Sequence, residues 1–185
     1  ENDEKSLENH LKSAGVIDEE VSITDLAKAG DGKMNLTLRA ETEKTNFIIK
    51  QANPFVQKYP SIAAPIERAK MEFTFYTEAR KLDGVKDYLP FPYHFDDKNH
   101  LLVLEDLGKK GDYTRYYRSD LTLPPEVVKD LLHFLKLLHG AELKKKSIEN
   151  KEMRKLNHTH IFDFPFRSDN GLDLNEIQRG LRNLA

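Results

Sequence analysis

Cysteine is missing altogether from this chain. That excludes a disulfide framework and removes thiolate chemistry from consideration. Surplus charge is missing too: Lys and Arg number 29 against 31 Asp and Glu, leaving a net charge of −2. Such a balance gives no electrostatic reason to expect a nucleic acid or an anionic membrane as partner. No apolar run approaches the length of a membrane span. The stretch from Glu1 to Lys12 is polar and lacks a signal-peptide pattern. Together these absences predict a cytoplasmic protein with no nucleic-acid or membrane partner. A homodimer stays open as an assembly. No internal repeat stands out.

What is present is enough for a core. The chain has 185 residues, 38% of them hydrophobic and 9% aromatic, which suits one domain or a little more. Residues 6–14 predict a short helix with Ser6 as N-cap and Gly15 just past its end. Val21, Ile23 and Leu26 mark a first strand within 20–29. The stretch 29–50 then reads as glycine turn, strand, polar tip and strand. Leu36, Leu38 and Ala40 alternate as one buried face should, and Phe47-Ile48-Ile49 leads into Lys50. Gly30 and Gly32 lie in the turn, where the absence of Cβ lets backbone N–H groups approach an anion closely. Two glycines in a hairpin also serve the turn alone.

Pro54, Pro60 and Pro65 predict loop over 51–65. A helix is expected over 66–82, with Ala69, Met71, Phe73, Phe75, Tyr76, Ala79 and Leu82 on a broad apolar arc. Glu72 sits near the middle of that arc and Arg68 lies one turn earlier. A carboxylate on a buried face needs a partner. Two partners are open to it: Arg68 at i−4, or Lys50 from the neighbouring strand, which would hold that lysine toward a phosphate. Tyr93-His94-Phe95, a turn over 96–99 and Leu101 to Leu104 predict a second hairpin, ending abruptly at Glu105-Asp106-Leu107-Gly108. The first half is thus an α+β arrangement of five antiparallel strands with one helix after the third. The second half is expected to hold a linker over 109–122, an amphipathic helix over 124–139 stopped by Gly140, a short mixed segment over 150–167, a turn at 169–171 and a helix beginning at Asp173.

The order strand, glycine turn, strand, strand with lysine, helix with inward glutamate, hairpin and acidic hinge resembles a protein-kinase-like N-terminal lobe. Gly30-Asp31-Gly32-Lys33-Met34-Asn35-Leu36, Ile48-Ile49-Lys50-Gln51-Ala52, Ile66 to Glu72 and Glu105-Asp106-Leu107 are together similar to methylthioribose kinase and its aminoglycoside-phosphotransferase-like relatives. Asn150 to Met153, running on to Ile161-Phe162-Asp163-Phe164-Pro165-Phe166, resembles a segment preceding that family's catalytic loop. The resemblance implies a nucleotide-binding lobe over 1–107, and over 108–185 a linker and the start of a helical C-terminal lobe. It implies that Gly30, Gly32 and Asn35 cover the phosphates of ATP. Lys50 would contact the α/β-phosphates, braced by Glu72, while Glu105, Asp106 and Leu107 would present backbone groups to the adenine edge. The reaction implied is transfer of the ATP γ-phosphoryl to a small-molecule hydroxyl (a sugar, methylthioribose-like compound or amino alcohol), with Mg²⁺ neutralising charge.

The family's catalytic aspartate, following asparagine and metal-binding aspartate are expected beyond Ala185. The nearest candidate, His139-Gly140-Ala141, has alanine where the aspartate should stand. A nucleotide-binding regulatory or pseudokinase module without phosphotransfer is therefore the second reading, and an unrelated α+β interaction domain the third. Smaller signals have plain readings. His158 and His160 lack a third metal ligand. Tyr113, Tyr116 and Tyr117 beside Arg115 and Arg118 suit a packed linker better than an RNA surface. Lys144 to Lys146 suit a solvated face. Phe162, Phe164 and Phe166 suit core or domain-interface anchors.

Overall fold

The computed structural model describes residues 3–30, 32–109, 113–117, 120–141, 149–167, 169, 174–177 and 179–180. The expectations for Asp31, Arg118, Lys144 to Lys146, Asn170, Gly171 and residues 181–185 lie outside them. The chain forms two compact units, Glu1–Ile148 and Glu149–Ala185. The expected boundary at 107/108 falls inside the first.

Helix α1 spans Glu4–Ser13. It begins one turn earlier than the Ser6 cap predicts, because the Asp3 carboxylate accepts the Ser6 backbone N–H at 3.1 Å. Gly15 follows its end at φ +67°, a left-handed conformation that suits glycine. Five antiparallel strands come next: β1 (Ile23–Lys28), β2 (Leu36–Thr42), β3 (Phe47–Gln51), β6 (Pro92–Asp96) and β7 (Leu101–Glu105). Their order in the sheet is β1-β2-β3-β7-β6. The late strand β7 lies beside β3, interior to the sheet. Leu101 to Leu104 are all buried, which explains why that strand reads as a continuous apolar run instead of alternating.

One sheet face carries Leu38, Ala40, Phe47, Ile49 and Val103, closed over by Leu11, Ile17 and Val21 from the N-terminal segment. This is the hydrophobic core. A half-open cavity of about 250 Å³ lies on the same side, between α1 and the sheet, lined by Leu7, His10, Leu26, Ile49 and Leu101 among others. The first unit is thus an α+β fold with a five-stranded antiparallel sheet.

The stretch 51–65 is not all loop. It holds a small hairpin, β4 (Phe55–Val56) with β5 (Tyr59–Ala63). Its prolines do not forbid this, because an edge position does not need every backbone N–H. Helix α2 covers Arg68–Ala79 and lies on the face opposite the core, where Phe73 stacks on Phe95 of β6 at 5.5 Å. Helix α3 covers Pro125–Gly140 and ends where the Gly140 stop predicts. It meets the α2–β6 connection through Phe134 against Tyr88 at 5.4 Å. Leu137 comes so close to Gly84 that an added Cβ there would lie 3.0 Å from it, and Gly84 also holds φ +75°. On α3, Val128, Leu131, Leu132 and Leu135 are exposed.

In the second unit, α4 covers Lys151–His158 and continues through a wide turn, Thr159–Asp163, and a tight one, Phe164–Phe166. Phe162, Phe164 and Phe166, expected as anchors, are exposed. Their spacing of two does not match the helical period of the backbone they sit on, so they do not share one packed face. Of the helix expected from Asp173, one turn at Leu174–Ile177 is described. Among the described residues no helix is long and apolar enough to cross a membrane.

Candidate functional site

The site is built on the sheet face away from the core. Directly paired residues of neighbouring strands share a face. Thr37, Lys50 and Leu102 form one such row, and Arg39, Ile48 and Leu104 form the next. The alternation that puts Leu38 and Ile49 in the core therefore puts Lys50 on the α2 face. There the choice left open for Glu72 is resolved. Lys50 Nζ lies 2.6 Å from Glu72 Oε1, bridging β3 and α2, and each side chain is about a quarter exposed at 26% and 24%. The same carboxylate oxygen accepts the Tyr76 hydroxyl at 3.3 Å. Burial first, then the Glu72 charge, pushes the Tyr76 phenol up to about 12, so it remains a donor at neutral pH.

Arg68 does not pair with Glu72. It is buried at 7% exposure and turns toward the glycine turn. Its Nε donates to Asn35 Oδ1 at 2.7 Å, and its Nη2 to the Met34 carbonyl at 2.8 Å and the Phe55 carbonyl at 3.4 Å. Its Nη1 donates to the carbonyls of Asn53 and Pro65, both at 2.7 Å. Burial holds its pKa below the usual arginine range, yet arginine stays charged at such sites. The small hairpin braces the same turn: Lys58 N–H donates to the Lys33 carbonyl at 3.0 Å and Gln57 N–H to the Met34 carbonyl at 3.4 Å. Gly30 adopts φ +69°, the reason glycine suits that corner. Gly32 has open space, with Thr37 Oγ1 4.0 Å from where a Cβ would stand.

At the far end of the sheet, the acidic hinge residues are engaged through their side chains. Glu105 Oε2 accepts the Phe91 N–H at 2.9 Å. Asp106 forms a two-pronged pair with Arg39, Nε to Oδ2 at 2.7 Å and Nη2 to Oδ1 at 3.0 Å. Arg39 also donates to the Gly108 carbonyl at 3.2 Å. The guanidinium hydrogen bond is the main reason the Asp106 carboxyl is held below its ordinary range, and the reciprocal bond raises Arg39. Leu107 is exposed, and among the described residues its backbone N–H and C=O have no protein partner.

The structure thus places Gly30, Gly32 and Asn35 in one turn, pairs Lys50 with Glu72, and sets Glu105, Asp106 and Leu107 at the end of β7. Sequence reasoning missed three features: the five-bond role of Arg68, the Arg39–Asp106 clamp and the hairpin behind the turn. A signal existed for the first, since an arginine on an apolar arc must find several acceptors. For the clamp there was none, because its partners are 67 residues apart. His158 Nε2 stands 3.6 Å from Asp163 Oδ1. Among the described residues no group of three His, Asp or Glu is placed to hold a metal. No family model matches the chain, and no curated protein matches it.

Proposed function

We propose that the first unit is the nucleotide-gripping lobe of an ATP-dependent small-molecule kinase, which transfers the γ-phosphoryl to a hydroxyl of a sugar-like or amino-alcohol acceptor. The observation that carries this reading is the Lys50–Glu72 pair. A lysine fixed at 2.6 Å by a carboxylate from an adjacent helix, and still a quarter exposed, is oriented and accessible to a ligand phosphate. A pair serving stability alone gains little from such partial exposure.

The surroundings fit a nucleotide. Ile48 lies two residues along its strand from Lys50, about 7 Å away, is partly exposed, and offers apolar surface to a purine ring. The Leu107 backbone offers a donor and an acceptor to its edge. The braced turn carrying Gly30, Gly32 and Asn35 offers backbone and amide donors to phosphates. ATP supplies the transferable phosphoryl, and Mg²⁺ accompanies it as counter-charge. No residue of this chain is assigned to the metal or to activation of the acceptor.

Calorimetric titration of the protein with Mg-ATP tests the reading, followed by ATP consumption over a panel of sugars, amino alcohols and aminoglycosides. Binding that depends on Lys50 is expected. Equal affinity of wild type and Lys50→Ala would overturn it. Lys50-dependent binding with no consumption on any acceptor would favour the regulatory, pseudokinase reading.

A further inference from the structure

We infer that Arg68 is a positioning residue that gives the site its preference for the phosphate tail, by fastening Asn35 and the glycine turn to the helix that carries Glu72. The inference rests on the nucleotide reading above. It begins from donor counting. A guanidinium has five N–H groups and no acceptor, and Arg68 makes five hydrogen bonds, all to oxygens and none to a carboxylate.

Because the guanidinium can only donate, Asn35 must turn its carboxamide oxygen toward it. The two amide N–H donors of Asn35 then face away from Arg68, as donors for an anion at the turn. The Met34 carbonyl is drawn the same way, to Nη2 at 2.8 Å, so the backbone entering β2 is held as well as the side chain. Arg68 is also the first residue of α2, and Glu72 is one turn further on. A single buried side chain thus ties the phosphate turn to the helix that orients Lys50. Lysine cannot replace this fork: it carries the charge but has three donors on one nitrogen.

The test compares ATP, ADP, AMP and adenosine binding, by calorimetry on the protein, in wild type, R68K, N35A and the double variant. Wild type is expected to bind ATP more tightly than adenosine. R68K is expected to lower that preference by about tenfold to a hundredfold, the worth of a charge-assisted hydrogen bond, with adenosine affinity unchanged. N35A should produce a similar loss, and the double variant little more than either, because the two residues act as one unit. Amide exchange without ligand should quicken at residues 33–36 and 53–58 in R68K while Leu11 and Val103 keep their protection. Retention of the full ATP-to-adenosine ratio in R68K or in N35A overturns the inference. So does a uniform weakening of all four ligands, which would mark a merely structural arginine. Wild type that binds neither ATP nor adenosine would instead overturn the nucleotide reading itself, and with it this inference. If R68K does not fold, N35A alone decides between these outcomes.

Discussion

The two faces of the five-stranded sheet are made from the same strands, yet one is closed chiefly by hydrocarbon, while the other sets ion pairs among its packed side chains. On the α1 side, Leu38, Ala40, Phe47, Ile49 and Val103 meet Leu11, Ile17 and Val21. On the α2 side, Lys50 meets Glu72, and Arg39 meets Asp106. Burying hydrocarbon is favourable wherever it packs. Removing charges from water is costly, and the attraction within a pair offsets that cost only in good geometry. The first face therefore contributes stability with little charge to desolvate. The second spends stability on holding charged groups in fixed places, which is what a site requires.

The comparison can be broken at four points. The largest effect is expected on the core face. Leu11→Ala should lower unfolding free energy by about 2–5 kcal/mol in a denaturant melt, and leave Mg-ATP affinity of the folded protein unchanged. A loss of affinity as large as the loss of stability would erase the division of labour. Lys50→Ala should do the reverse: nucleotide affinity falls by about 1.5–3 kcal/mol in calorimetry, while the melting temperature stays within a few degrees.

Asp106→Asn comes next. Losing the charged acceptor of Arg39 should cost about 1–2 kcal/mol of stability, and it should do so in a pH-dependent way. The folded Asp106 carboxyl titrates below its ordinary range, so its contribution is present above about pH 4 and fades as pH falls through the folded value. Melts at pH 7 and pH 3 should show the difference between wild type and variant shrinking with acid. A difference unchanged by acid would remove Asp106 from the clamp. Tyr76→Phe is the smallest change. It deletes one hydroxyl from the Glu72 carboxylate and should weaken nucleotide affinity by about 0.5–1 kcal/mol, a few-fold at most.

Much of the first unit was legible because its signals are local. Alternation in Leu36 to Ala40, the unbroken run Leu101 to Leu104, and the arc of the second helix each report one element's own burial. Lys50 and Glu72 were legible as candidates for the same reason: a charge at the end of an apolar strand, and another inside an apolar arc, both ask for partners. The choice between Arg68 and Lys50 for Glu72 was not legible, since both are stereochemically reachable. The hairpin Phe55–Ala63 was hidden by its prolines. Of the two roles expected for the phenylalanines at 162, 164 and 166, core packing is not what the structure shows, since all three are exposed.

The sequence by itself determined which residues alternate into the core, where the second helix lies, and that Lys50 and Glu72 are charged groups in apolar settings that each ask for a partner. Hydrophobic periodicity and chain order suffice for those. Only the tertiary structure decided who pairs with whom. Glu72 takes Lys50 over 22 residues of chain, Arg68 takes Asn35 over 33, and Asp106 takes Arg39 over 67. Electrostatic partners are chosen by distance in space and by what desolvation demands, and neither is set until the strands are in register and the helix is laid across them.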